Sequence, residues 1–169
     1  MRVEPDPNGT EFVLLNEYLD YQRETVLLKA EGLSKEQLGK RLLPSDLTLA
    51  GILYHLALVE EGWMEVKYSG LAERKPWSDV DWEADPNWEF RTGTTLSPEE
   101  LLSRYRQSCE RSRQVVASAS SLDQPSVMTF PDGRHFTLRW VLLHLIEETA
   151  RHAGHADLIR ESIDGSVGE

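Results

Sequence analysis

The sequence is poor in cysteine and in long apolar runs. Cys109 is the single cysteine, so no intrachain disulfide can form. This suits a reducing cytosol, and Cys109 itself is expected to be an inert, partly buried residue. No stretch approaches the roughly 20 apolar residues of a membrane span, and the polar segment 1–9 lacks the apolar core of a signal peptide. These absences predict a soluble, cytoplasmic protein.

Basic residues are also scarce, with 18 Lys and Arg against 29 Asp and Glu and a formal net charge of -11. A surface this negative repels phosphate backbones and anionic lipids, so nucleic acids and membranes are poor partners. Hydrophobic residues make up 40% of the chain, which is enough for a core at this length. Length and composition predict a single domain over residues 1–169.

Four stretches place apolar residues at helical spacing. They cover about 10–33, 48–68, 97–119 and 137–163. Ser97 and Glu100 form a capping-box pattern with Pro98 at the first helical position, and the last stretch ends before Gly165. Since only one hairpin interrupts the helical pattern, the sequence predicts an all-α four-helix bundle.

Two connections between the predicted helices are distinctive, one by its length and the other by a turn motif. The connection 69–96 holds Gly70, Pro76, Pro86 and three tryptophans. A loop of this length inside a compact domain is usually functional. Residues 127–138 surround an Asp-Gly pair, which supplies the positive φ of a tight turn and predicts a small hairpin before the last helix.

The last predicted helix carries three of the five histidines. Positions 144, 148, 152 and 155 form one narrow stripe at about 100° per residue. Glu148 and His152 are an i, i+4 pair and can reach one metal ion from a single face. His55 lies mid-helix among apolar residues of the second predicted helix and is the obvious third donor. This set suits Zn²⁺, Ni²⁺, Fe²⁺ or Mn²⁺ and leaves open coordination positions, as a catalytic metal requires.

Each of these residues also has an ordinary structural interpretation. A mid-helix histidine such as His55 is more often a hydrogen-bonded core residue, and i, i+4 Glu–His pairs are common on solvated faces. His155 and His144 are alternative ligands, and His144 could instead orient Glu148 by a hydrogen bond. His135, after the predicted turn, is expected to face water.

The motifs LTLAGILYHL at 47–56, SPEELL at 97–102 and TLRWVLLHLIEETARHAGHAD at 137–157 resemble the DinB/YfiT-like superfamily, in particular its actinobacterial branch. The resemblance covers essentially the whole chain, including the Trp-rich segment 77–88. It implies a four-helix bundle with one metal ion held by one histidine of the second helix and two residues of the last. In a mycothiol-dependent isomerase of the superfamily those two residues are Glu-x-x-x-His, which correspond here to Glu148 and His152. The resemblance also makes a homodimer plausible.

The superfamily includes transferases and isomerases that use low-molecular-weight thiols. The resemblance therefore implies a metal-dependent S-transferase or isomerase that acts on a small molecule together with a thiol such as mycothiol. A metal-dependent hydrolase is one alternative. A metal-binding or ligand-binding stress protein without turnover is another, because one fold hosts many functions.

The sequence gives weaker evidence for catalytic residues than for metal ligands. Glu60 and Glu61, one to two turns beyond His55, could supply a base, or they could form a solvated face. Arg151 and Arg139 could hold a substrate carboxylate, and a surface role fits them equally. The tryptophans could roof the pocket, although the first of them also fits a core position; they are Trp63, Trp77, Trp82 and Trp88.

Overall fold

The computed structural model describes residues 2–168, and it confirms the predicted all-α fold. The helices are α1 Glu11–Ala30, α2 Lys35–Leu38, α3 Leu49–Glu60, α4 Trp88–Gly93, α5 Pro98–Ser118 and α6 Leu138–Asp164. A π-helical segment, Glu61–Tyr68, continues α3, and a 3₁₀ turn covers Trp77–Asp79. The strands are β1 Pro125–Thr129 and β2 His135–Thr137. The four long helical units correspond to the four predicted helices.

Capping side chains set where these helices begin and end. Thr10 caps α1, and Ser34 caps α2 in a capping box with Gln37. The first helix was predicted to reach residue 33, but it ends at Ala30, and the chain turns at Gly32 with a φ of 77°. Only glycine adopts such a φ without a steric penalty, so the backbone separates α1 from α2 at this point.

The second predicted helix is α-helical only to Glu60, so the expectation of one α-helix over 48–68 was wrong for its last third. In a π-helix each N–H bonds to the carbonyl five residues earlier, and the Ser69 N–H donates to the Met64 carbonyl at 3.2 Å. Glu61 and Glu65 are both buried in this segment. Arg111 of α5 donates to their carboxylates at 2.6 and 2.5 Å, so one arginine satisfies two interior acids.

The connection 69–96 was predicted to be a loop, but it contains a short helix. This helix, α4, packs unusually close to α3. A Cβ atom on Gly51 would lie 2.9 Å from the Phe90 carbonyl oxygen, and one on Gly93 would lie 2.6 Å from the Ala50 carbonyl oxygen. Both distances are shorter than real Cβ contacts allow, so the two helices can meet this way only because both positions are glycine.

The predicted hairpin is present before α6. Strands β1 and β2 pair antiparallel, with Thr129 opposite His135, and Gly133 takes the turn with a φ of 83°. Phe136 on β2 is buried and brings the hairpin into the core.

The core consists of two apolar clusters that divide α6 between them. The first joins α3 and α5 to the second half of α6, including Leu53, Tyr105 and Ala153. The second joins the π-helical segment and the hairpin to the first half of α6, including Leu145. Glu148 and His152 therefore lie where one cluster gives way to the other. Within residues 2–168, none of the helices combines the length and the apolar character needed to cross a membrane.

Candidate metal centre

The structure brings the three predicted ligands together from two helices. His55 of α3 and Glu148 and His152 of α6 each offer one ligand atom, and these atoms all lie within 4.8 Å of one another. His55 Nε2 lies 3.2 Å from Glu148 Oε1, across 93 positions of sequence. His152 Nε2 lies 3.4 Å from the same oxygen. The two imidazole centroids are 4.9 Å apart, so one small cation could contact all three side chains.

The electrostatic environment leaves this site ready to donate electron pairs. Burial lowers the pKa of His152 to about 4, and repulsion from His55 adds to the effect. Burial acts to raise the pKa of Glu148, but the hydrogen bond with His55 and the charges of His152, His55 and Arg151 outweigh it, so that pKa lies below its ordinary value. At neutral pH the imidazole of His152 is neutral and Glu148 is a carboxylate, which are the protonation states that a metal ion needs.

The chemistry of the donor atoms also fits a cation. Two imidazoles and one carboxylate form a donor set typical of catalytic zinc and related divalent ions. The residues present therefore fit a divalent metal ion.

Two residues that contact His55 could not be predicted from the sequence. Glu89 Oε1 lies 3.2 Å from His55 Nδ1, and the Phe90 ring stacks on the imidazole at 4.7 Å with an interplanar angle of 18°. Both residues belong to α4, which lies in the connection predicted to be functional. The available signal was an acid flanked by two aromatic residues, Trp88-Glu89-Phe90, but only the packing of α4 reveals its meaning.

The other histidines lie outside the group of three. His144 is held between aromatic rings, 4.4 Å from Trp63 and stacked on Trp140 at 5.3 Å. Burial lowers the pKa of His144. The His155 ring is 5.3 Å from that of His152, and its Nδ1 is buried without a hydrogen-bond partner. His135 is exposed, as expected, and its Nδ1 lies 2.7 Å from the Ser126 carbonyl oxygen.

The candidate bases Glu60 and Glu61 do not form a solvated face, so that interpretation was wrong. They are only 1% and 5% exposed. Glu60 accepts two hydrogen bonds from Arg23 of α1, and Glu61 accepts from Arg111 and from the Ser108 hydroxyl. Both carboxylates are engaged by cations in the interior because π-helical and α-helical turns direct them toward α1 and α5.

The two candidate arginines differ in position. Arg151 is exposed, and its guanidinium contacts Glu147 and lies 3.4 Å from Glu148 Oε2, at the edge of the three-residue group. Arg139 is bound instead by Glu11 and Asp123 at the beginning of α6. Of the two, only Arg151 is placed beside a candidate ligand.

The tryptophans pack as structural aromatic groups. Trp77 is 1% exposed and lies 4.6 Å from the Tyr54 ring, and Trp88 lies against both of them. Trp82 packs on Trp88. Trp63 is partly buried against Phe136 and Trp140 in the second core cluster. The aromatic ring that contacts the candidate ligands His55 and His152 belongs to Phe90.

Phe90 also lines a cavity of about 780 Å³. Its other walls include Arg41, Thr48, Asn87 and Arg91. Asp46 pairs with Arg41 and Asp85 pairs with Arg91. Space large enough for a small organic molecule therefore begins at a residue that stacks on a candidate ligand.

Comparisons with known proteins bear on the family and on the fold. The sequence model of the family described as mycothiol-S-transferase matches residues 14–165. A solved structure, the mycothiol-dependent maleylpyruvate isomerase, superposes with a TM-score of 0.63 at 17% sequence identity, and the match covers 86% of this chain.

The match covers 60% of the isomerase chain, and at this identity it shows the fold alone. No protein of curated function matches the sequence. The family match extends over most of the chain and confirms the resemblance to DinB-like proteins. The chain belongs to the mycothiol-S-transferase family.

Proposed function

We propose that this protein is a metal-dependent S-transferase or isomerase of the cytoplasm that uses mycothiol as its thiol. The observation that carries the proposal is the meeting of His55, Glu148 and His152 within 4.8 Å, in a chain of the mycothiol-S-transferase family. The family supports the thiol, and the three donor atoms support one divalent ion such as Zn²⁺, Ni²⁺, Fe²⁺ or Mn²⁺.

The three side chains would hold the ion from one side. Two imidazoles and one carboxylate leave further coordination positions open, which a purely structural site would fill with protein ligands. Such an ion, when bound, lowers the pKa of a coordinated thiol and so supplies a thiolate at neutral pH. In a transferase the sulfur would bond to the electrophilic carbon of a second substrate, and that carbon would release its leaving group with the bonding electron pair. In an isomerase the electron pair of the attacked double bond would move onto the substrate and later expel the thiol.

Other residues of the chain fit the handling of that substrate. Arg151 is exposed beside Glu148, which supports a role for its guanidinium in binding an acidic group of the substrate. The cavity at Phe90 offers space for the organic part of the thiol or of the electrophile. Cys109 is buried, and burial raises its pKa to about 12, so the protein's own thiol does not compete with the substrate thiol.

The first test measures metal content. Wild type, His152→Ala and the matched control His135→Ala are all purified without metal-affinity chromatography. The control removes an exposed histidine of the hairpin. We expect about one equivalent of metal in wild type and in the control, and little in His152→Ala. Equal and negligible metal in all three proteins would contradict the metal centre.

The second test measures turnover. Wild type, loaded with each divalent metal in turn, is assayed with mycothiol and a panel of electrophiles that includes maleylpyruvate. We expect thiol-dependent turnover that disappears when a chelator removes the metal. Turnover with water and no thiol would instead favour the hydrolase. Full metal content without turnover across the panel would favour a metal-binding protein that does not catalyse a reaction.

A further inference from the structure

Glu89 is a buried acidic residue whose position carries a desolvation penalty. The residue is 6% exposed, its Oε1 lies 3.2 Å from His55 Nδ1, and its Oε2 is buried without a hydrogen-bond partner. Moving a carboxylate out of water is strongly unfavourable unless it is paired. A neutral residue of similar size would avoid this penalty, so the acid at this position needs a reason beyond packing.

We propose that Glu89 is a positioning residue for the metal centre, because it accepts the hydrogen of His55 Nδ1 and thereby leaves the Nε2 lone pair facing Glu148 and His152. The two ring nitrogens lie on different sides of the imidazole, so fixing the hydrogen on one determines which nitrogen can donate to a metal. A carboxylate behind a ligating histidine also increases the electron density of the ring. This inference rests on the proposed metal centre.

Phe90 and the glycine contacts between α3 and α4 also help to hold the His55 imidazole in place. Phe90 stacks on the imidazole at 4.7 Å and fixes the plane of the ring, whereas Glu89 fixes its hydrogen. Both residues are adjacent on α4, and α4 is held against α3 by the close approaches at Gly51 and Gly93. The short helix therefore controls both the orientation and the tautomer of His55.

Glu89 is not placed as a fourth ligand. Its contact is with Nδ1, on the side of the ring away from Glu148, whose Oε1 lies 3.2 Å from Nε2. Among residues 2–168, the candidate ligand group that includes His55 consists of that residue, Glu148 and His152. Glu89 consequently acts through His55.

The test compares zinc affinities of the full-length chain after removal of metal. Wild type, Glu89→Gln, Glu89→Ala and the control Glu83→Gln, which changes an exposed acid of the same connection, compete for zinc with a chromophoric chelator. We expect Glu89→Ala to bind zinc about 10–100-fold more weakly. Glu89→Gln should lose less, because its amide oxygen can still accept the hydrogen, and the control should match wild type.

A second measurement separates positioning from a general loss of structure. Long-range ¹H–¹⁵N spectra of the zinc-loaded protein should show His55 protonated at Nδ1 and bound through Nε2. In Glu89→Ala, the His55 Nδ1–H signal should shift or broaden while the signals of His152 are retained. Glu89→Gln, which preserves size, keeps the test available if the alanine variant does not fold.

The outcomes distinguish the two proposals. Wild-type zinc affinity in both Glu89 variants, with affinity lost in His152→Ala, would overturn the role of Glu89 and leave the metal centre intact. Absence of zinc binding by wild type and His152→Ala alike would remove the metal centre and the positioning role together.

Discussion

Arg23 of α1 and Glu60 of α3 form a buried bidentate ion pair, with distances of 2.7 Å from Nε to Oε1 and 2.6 Å from Nη2 to Oε2. Their side chains are 3% and 1% exposed. Two parallel charge-assisted hydrogen bonds satisfy most of the polar atoms of both groups. The pair links α1 to α3 next to the turn where α3 becomes π-helical, and it assigns Glu60 to the interior of the bundle.

Removing one partner of this pair should destabilise the fold without removing the metal centre. Glu60→Ala leaves the Arg23 guanidinium buried and without its bidentate partner, so we expect a loss of about 3–5 kcal/mol in the free energy of unfolding. Chemical denaturation measures the loss, and the exposed Glu161→Ala is the matched control. Folded Glu60→Ala should retain wild-type metal content. A loss of metal with unchanged stability would instead give Glu60 a role at the centre.

The contact between α3 and α4 should control metal affinity from a distance. Gly93→Ala places a Cβ atom 2.6 Å from the Ala50 carbonyl oxygen, so α4 must move and carry Glu89 and Phe90 away from His55. We expect zinc affinity about tenfold lower, by analogy with loss of the residues that support a ligand. Gly62→Ala, where a Cβ would meet nothing within 4 Å, should bind zinc as wild type does. Competition with a chelator measures the zinc affinity of both variants, and equal affinities would contradict the prediction.

His144 should be dispensable for metal binding. It lies between Trp63 and Trp140 and outside the group of three, so His144→Phe should preserve the aromatic packing and keep zinc affinity within about twofold of wild type. His152→Ala serves as the positive control for lost affinity. A large loss in His144→Phe would show that this histidine joins the ligands or orients Glu148.

Cys109 should resist alkylation in the folded protein. Burial first, and then the nearby charge of Glu60, raise its pKa to about 12, so almost no thiolate is present at pH 8. We expect iodoacetamide to modify the native chain far more slowly than the chain unfolded in denaturant. An Ala117→Cys variant, which adds a thiol at an exposed position of α5, should react at least about 100-fold faster than Cys109. Equal rates for both thiols would contradict the buried position.

The features that could be predicted from sequence are those governed by local chemistry. The beginning of α6 follows from the Thr137 cap, and its end from Gly165 with a φ of 79°. The i, i+4 spacing places Glu148 and His152 on one face without knowledge of any other segment. The prediction that His55 joins them depends on the resemblance to a family, because helical periodicity does not specify which distant segment a helix meets.

The features that could not be predicted depend on distant partners. The sequence does not indicate that Glu61 and Glu65 are buried, because their burial depends on Arg111 of another helix, which pairs with both carboxylates. The π-helical turn that directs them inward has no propensity signal distinct from that of an α-helix. The role of Glu89 also depends on a distant partner, because it exists only once α4 has packed against Gly51.

Helix α3 is held in place by the protein itself, before any metal ion binds. This helix is tied to α1 by the Arg23–Glu60 pair, to α4 by the glycine contacts and to α5 and α6 by the first apolar cluster. The entropy of bringing residues 93 positions apart into one place is therefore lost during folding. Small zinc domains unfold when the ion leaves. Here a preorganised cage should persist, so ions can exchange while the bundle stays intact.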